Sequence, residues 1–200
     1  MYPESEFLFQ YNPTTSTYTK KVDFGKTDGT STALVGSSPY GSLIQASDGN
    51  LYGMTQEGGI SAFNSGPDGP FDRGRGVLFK YIPATSAYSV IYNFQIAGCI
   101  GYPQGSLMQA SDGNFYGMTY IGPPCGTNAD GTLFQFNPVT SAYTNELNFT
   151  GANGKNPVYT NLVEVRPSTT LVPTLSQWAF ITLSVLVLGA GVFFVRGHVV

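Results

Sequence analysis

Gly41-Ser-Leu-Ile-Gln-Ala-Ser-Asp-Gly-Asn-Leu-Tyr-Gly-Met-Thr55 returns as Gly105-Ser-Leu-Met-Gln-Ala-Ser-Asp-Gly-Asn-Phe-Tyr-Gly-Met-Thr119, changed only at Ile44/Met108 and Leu51/Phe115. A long segment repeated within one chain marks an architecture built from stacked copies of one supersecondary unit. Inside each copy, Leu43–Ala46 and Leu51–Thr55 read as short apolar strands. Between them stands Asp48-Gly49, a dipeptide that tolerates the positive φ angles of a tight hairpin turn.

A second block occurs three times: Phe7-Leu-Phe-Gln-Tyr-Asn-Pro-Thr-Thr-Ser-Thr-Tyr18, Val77-Leu-Phe-Lys-Tyr-Ile-Pro-Ala-Thr-Ser-Ala-Tyr88 and Thr132-Leu-Phe-Gln-Phe-Asn-Pro-Val-Thr-Ser-Ala-Tyr143. Each runs on into a strand that ends at Phe24, Phe94 or Phe149, and its proline stops the first strand at a polar turn. One unit is therefore two hairpins joined by a variable Gly-rich loop, a four-stranded antiparallel meander. Such sheets stacked radially form the blades of a β-propeller. The chain divides into a half unit at 6–38, units at 39–102 and 103–156, and a partial unit at 157–165 that reads as the first strand of another. A ring needs roughly 4 to 8 blades, so the expected fold class is all-β, an incomplete propeller. A lone half unit at either end leaves a strand edge and an apolar face uncovered.

Composition agrees. Charged residues are 10% of the chain, while 25 Gly, 13 Pro, 13 Tyr and 14 Phe fit many turns and aromatic strands. With a net charge of −3 and no basic patch, nucleic acid is set aside as a partner.

The tail differs in kind. After a linker at 166–172, residues 173–200 carry Pro173, Thr174, Leu175, Ser176, Gln177 and Trp178, then an uncharged apolar run from Ala179 to Val195, then Arg196. As a helix, 179–195 is about 26 Å long, just short of a hydrocarbon core. Trp178 stands where an interfacial anchor belongs, and Arg196 as the membrane stop keeps the C-terminus cytoplasmic and the bulk outside. The expectation is one C-terminal transmembrane helix, with a buried core helix as the bland alternative.

Val172-Pro173-Thr174-Leu175-Ser176-Gln177-Trp178-Ala179 resembles the IPTL-CTERM sorting domain, a relative of PEP-CTERM signals, which joins an Ile-Pro-Thr-Leu-Ser-x-Trp-Gly-like box to a membrane helix and a short basic end. The resemblance implies recognition by an exosortase-type membrane processing enzyme, then release or attachment at the cell surface. Val172 replaces the usual Ile, Ala179 the usual Gly, and one Arg stands where several are common.

The repeat, in turn, resembles the GloVer-type tandem repeat of bacterial "choice-of-anchor" surface proteins, with Gly-x-Leu, Asp-Gly-Asn-x-Tyr-Gly-x-Thr, a Gly-Gly loop and Gly-x-Leu/Val-Phe. These stand at Gly41 to Thr55, Gly58-Gly59 and Gly76 to Phe79, and again at Gly105 to Thr119 and Gly131 to Phe134. In the second unit Ile121-Gly-Pro-Pro-Cys125 replaces the Gly-Gly element. The resemblance implies a propeller-like surface module and no particular activity.

Met1-Tyr-Pro-Glu-Ser-Glu has neither the basic nor the apolar region of an export signal, whereas the tail is a sorting address. The simplest reconciliation is a chain that is the C-terminal portion of a longer exported protein. Cys99 and Cys125, the only cysteines, are a candidate disulfide outside the cytoplasm. Two free thiols, or a partner elsewhere, are the alternatives, because spacing alone does not fix the distance between them.

Chemistry-bearing residues are few. The sole histidine, His198, lies beyond the apolar run, so no His-based triad forms in the exported part. No Cys/His cluster has metal-ligand spacing, and neither metal nor cofactor is expected. The Asp48–Asn50 and Asp112–Asn114 turns lack the oxygen ligands of an EF-hand loop and read as β-turns. Tyr52, Tyr116, Phe79 and Phe134 read as core aromatics, with carbohydrate stacking as the minor alternative. Unit-specific charges at Glu57, Asp68, Asp72, Arg73 and Arg75 mark the candidate binding loop, and Tyr120–Asp130 is a second unit-specific stretch. The favoured function is a non-catalytic exported surface or secreted repeat protein that binds an extracellular glycan or protein. The alternative is part of an extracellular propeller enzyme acting on polysaccharide.

Overall fold

In a computed structural model the structure describes residues 6–24, 34–59, 74–95, 99–124 and 130–166. The chain divides after Glu164, and every described strand lies before that point. Strands β1 (Phe7–Asn12) and β2 (Thr17–Asp23) form a hairpin, and β3 (Leu34–Ser37) pairs with β6 (Glu57–Gly59). Strands β4 (Ile44–Gln45), β5 (Leu51–Thr55), β7 (Val77–Ile82) and β8 (Ala87–Asn93) form one four-stranded antiparallel sheet. Strands β9 (Met108–Gln109), β10 (Phe115–Thr119), β11 (Thr132–Phe136) and β12 (Tyr143–Asn148) form a second in the same order. The described residues are thus all-β, and each repeat unit has the meander expected of it.

Register repeats with the sequence. Leu51, Tyr52, Gly53, Met54 and Thr55 pair with Tyr81, Lys80, Phe79, Leu78 and Val77. Phe115, Tyr116, Gly117, Met118 and Thr119 pair with Phe136, Gln135, Phe134, Leu133 and Thr132. Glycine is required opposite each phenylalanine: a Cβ on Gly53 or Gly117 would come within 2.6 Å of the Cζ of Phe79 or Phe134. The ring therefore lies across the strand at the one residue without a side chain. A β-bulge follows at the same place in all three second hairpins, between Leu8/Phe9, Leu78/Phe79 and Leu133/Phe134.

Strand alternation gives each sheet two apolar faces, and the core lies between sheets. Val22 and Phe24 of the first hairpin pack with Val77, Phe79 and Tyr81. Tyr52, Met54, Leu78 and Phe94 pack with Leu107, Phe115, Phe134 and Phe136 of the next sheet. The two junctions share one aromatic contact. Phe24 meets Phe79 at 5.4 Å and Tyr88 at 6.1 Å, and Phe94 meets Phe134 at 5.5 Å and Tyr143 at 6.2 Å, centroid to centroid. Tilted and edge-on pairs at these distances are the favoured aromatic geometries.

The first strands of successive units also touch. A Cβ on Gly41 would lie 2.1 Å from the carbonyl oxygen of Gly105, and one on Gly105 would lie 2.6 Å from that of Thr160. Ser42 N donates to Ser106 Oγ at 2.9 Å, and Ser106 N to Thr160 O at 3.0 Å. Ser47 N donates to Gln109 Oε1 at 2.8 Å, and Ser111 N to Glu164 Oε2 at 3.1 Å.

Three expectations need correction. The Asp48-Gly49 turn is not one with two positive φ angles. Only Gly49 is left-handed (φ 79°), with Gly49 N donating to Ala46 O and Ala46 N to Asn50 O. This is a type I turn closed by a left-handed glycine, and it shortens β4 to two residues. The segment 157–165 is not a strand. In the two complete units the first strand pairs with the second strand of its own unit, β4 with β5 and β9 with β10. No such partner stands beside 157–165 among the described residues, and its backbone bond to the preceding unit's first strand is Ser106 N to Thr160 O. Finally, Glu57–Gly59 is not loop but β6, paired with Leu34–Ser37.

Phe94 and Phe149 occupy the same repeat position, but Phe94 is buried at a junction (1% exposed) and Phe149 is half-buried on the outer face of the second sheet. Phe94→Ala should cost about 3–5 kcal/mol in urea unfolding, and Phe149→Ala markedly less. Equal losses would mean that the sheets do not stack in this way.

Candidate functional site

The repeated Asp-Gly-Asn turn is the most highly organised polar feature. Asp48 Oδ1 accepts from Asn50 N at 3.0 Å, and Oδ2 accepts from Asn50 Nδ2 (2.7 Å), Tyr52 Oη (2.8 Å) and Lys80 Nζ (3.3 Å). Asp112 repeats the set with Asn114 N (2.9 Å), Asn114 Nδ2 (2.8 Å), Tyr116 Oη (2.9 Å) and a long contact to Gln135 Nε2 (3.4 Å). Partial burial alone would raise the Asp48 pKa, but the Asn50, Tyr52 and Lys80 donors outweigh it and hold the carboxyl at about 2. The backbone and side-chain donors of Asn114 lower that of Asp112. Both oxygens of each aspartate serve the turn itself. Among the described residues no three His, Cys, Asp or Glu side chains gather as a metal-ligand set.

The core aromatics are placed as their strand positions imply. Tyr52, Phe79 and Phe134 are buried. Tyr116 is half-buried and accepts from Gln135 Nε2 at 2.7 Å. Tyr88 donates to Val35 O, and burial raises the pKa values of Tyr88 and Tyr143.

Of the candidate binding loop, Asp68, Asp72 and Arg73 lie outside the described residues. Glu57 sits in β6 opposite Ser37. Arg75 is half-buried, its guanidinium 5.0 Å from the centre of the Tyr102 ring and its carbonyl accepting from Tyr102 N at 2.8 Å. Arg75 therefore ties the start of β7 by a cation–π contact to the last residue of its own unit, where the chain passes into the next. The repeat hid this role, because Tyr102 stands at the boundary between units, ahead of β9 (Met108–Gln109), and looks like linker. Asp130, at the end of the second unit-specific stretch, is buried (7% exposed) and lies 3.5 Å from Lys155 Nζ.

Cys99 is disulfide-bonded and has a left-handed backbone (φ 50°). Cys125, the other cysteine of the chain, lies outside the described residues. The same holds for the motif residues Pro173 to Trp178, for the expected helix 179–195 and for Arg196. No helix among the described residues is long and apolar enough to cross a membrane.

Beyond the sheets, the tail decides what can be said of the chain's destination. Residues 172–197 match the IPTL-CTERM motif. The chain carries a C-terminal exosortase-type sorting signal, which marks an exported protein that associates with the membrane, is processed there and is displayed at the cell surface. No curated protein matches the chain.

The low Asp48 pKa has a consequence for stability. A carboxyl held below its ordinary 3.8 stabilises the fold above that pH and loses its contribution as pH falls toward about 2. Asp48→Asn should therefore flatten the loss of thermal stability between those two pH values, and an unchanged slope would show that the turn does not hold the ionised form. Pairing of Cys99 with Cys125 would close a loop of about 26 residues, worth on the order of 3 kcal/mol. A non-reducing peptide map should recover the two cysteines in one fragment, and reduction should lower the melting temperature.

Proposed function

We propose that the chain is a non-catalytic surface-display protein. Its sheets are blades of a propeller-like GloVer-type array, sent to the cell surface by the tail, where unit-specific loops bind an extracellular glycan or protein. The observation that carries this reading is the use of the repeated carboxylates. Asp48 is fully ionised at neutral pH, and both its oxygens accept hydrogen bonds from its own unit. A general acid in glycoside hydrolysis needs the opposite, a carboxyl whose pKa is raised. The strand aromatics are likewise taken up in packing between sheets, which leaves the loops as the variable surface. The Cys99 disulfide suits an oxidising destination.

Two measurements test the proposal. Expressed behind an export signal in a cell with an exosortase, the protein should mature to a shorter, surface-exposed form. Replacing Pro173 and Trp178 by Ala should leave it at full mass in the membrane fraction, and normal maturation of that variant would refute the sorting role of the box. The exported chain should also bind immobilised cell-surface polysaccharide or matrix protein without releasing new reducing ends. Turnover of any such polymer would overturn the non-catalytic reading.

A further inference from the structure

The first hairpin is the second half of a unit, and it leaves three linked features open. Among the described residues strand β1 pairs with β2 alone, so no described strand takes the edge that β7 gives to β5 and β11 gives to β10. Phe9, the counterpart of Phe79 and Phe134, is 53% exposed, although its ring still stacks on Tyr18 at 5.1 Å. Between the hairpin and the first four-stranded sheet lies a cleft of about 180 Å³ whose lining includes Leu8, Gln10, Lys21, Leu43, Leu51 and Tyr81.

The other junction shows what fills that place. There the counterparts of Leu43, Leu51 and Tyr81 are Leu107, Phe115 and Phe136, all buried, against Ala46, Tyr52 and Met54 of the preceding unit's first hairpin. Tyr52 lies on Phe115 at 4.5 Å. Leu43 and Leu51 are only half-buried, and the buried Tyr81 hydroxyl beside the cleft has no protein hydrogen-bond partner.

We propose that the β1 edge and this cleft form a docking site for a first hairpin of the chain's own repeat type, Gly-x-Leu followed by Asp-Gly-Asn-x-Tyr-Gly-Met-Thr, added by β-augmentation. The register follows from the two complete units: Tyr opposite Gln10, Gly opposite Phe9, Met opposite Leu8 and Thr opposite Phe7. Tyr and Met enter the cleft over Leu43, Leu51 and Tyr81. The Tyr hydroxyl accepts from the Gln10 amide, as that of Tyr116 accepts from Gln135. The Phe9 ring closes over the glycine, which makes that glycine the specificity determinant. The inference does not depend on a closed ring or on any ligand of the loops.

A synthetic peptide with the sequence Gly41–Thr55 is the probe, titrated into the detergent-solubilised full chain. Saturable binding is expected. The peptide with Ala for its Tyr-Gly-Met glycine should bind at least about tenfold more weakly, because its Cβ meets the Phe9 ring, and Phe9→Ala in the chain should remove most of that discrimination. The full chain bearing an extra copy of 41–55 on a Gly/Ser linker ahead of Met1 should melt at a higher temperature than the same fusion carrying the alanine. No peptide binding together with no difference between the fusions would overturn the proposal, as would equal affinity for both peptides. Self-association through β1 that excess peptide does not dissolve would give the edge to a second copy and overturn it too. Glycan binding and tail processing are read separately, so their failure leaves this result intact.

Discussion

Insertion of one phenylalanine from the last strand of a unit against a Phe–Tyr pair of the next is the contact on which the stack depends. Phe24 does this to Phe79 and Tyr88, and Phe94 to Phe134 and Tyr143. The receiving ring can lie flat across its own sheet only because Gly53 or Gly117 faces it. The Tyr-Gly-Met element and the Leu-Phe element of the repeat are therefore one device split between two strands. A side chain at the glycine would push the phenylalanine out of place, and the junction with the preceding unit would open with it. Close packing leaves no slack to absorb such a change.

Polar groups follow the same logic of units that lean on one another. Each Asp-Gly-Asn turn meets its own hydrogen-bonding needs, so that the adjacent serine is free to bond sideways: Ser47 to Gln109, and Ser111 to Glu164. Arg75 on Tyr102 adds a cation–π clasp within the unit, at the residue that leads into the next. The result is a scaffold whose regular residues are occupied in holding it together. In the proposed reading, recognition falls to the segments that differ between units, a common division of labour between rigid scaffold and loop.

Much of this was legible from residues alone, where the signal was local. Val77–Ile82 and Leu51–Thr55 were read with the bounds observed, since apolar patterning, Pro83 and the Asp-Gly turn lie within a few residues of them. The β3–β6 pair was not. Its strands, Leu34–Ser37 and Glu57–Gly59, are short, rich in glycine and separated by a complete hairpin, so no alternation marks them. The segment 157–165 reads like a first strand, yet among the described residues it has no second strand of its own unit to pair with, as β4 has β5 and β9 has β10. Of the five loop charges, Arg75 gave no sign that its partner would be an aromatic ring, because Tyr102 is distant in sequence.

By itself the sequence determined the unit, its four strands, the places of their turns and the sorting address, because each is written in short-range chemistry: period-two alternation, turn residues at fixed offsets, and an uncharged run closed by an arginine. Only the tertiary structure decided which face of each sheet meets which, that the aspartates are consumed by their own turns, and that Phe9 is exposed where Phe79 and Phe134 are buried. These are relations between residues far apart in the chain. Identical blocks acquire different environments according to what stacks beside them, and the pattern within a block carries no record of its neighbour.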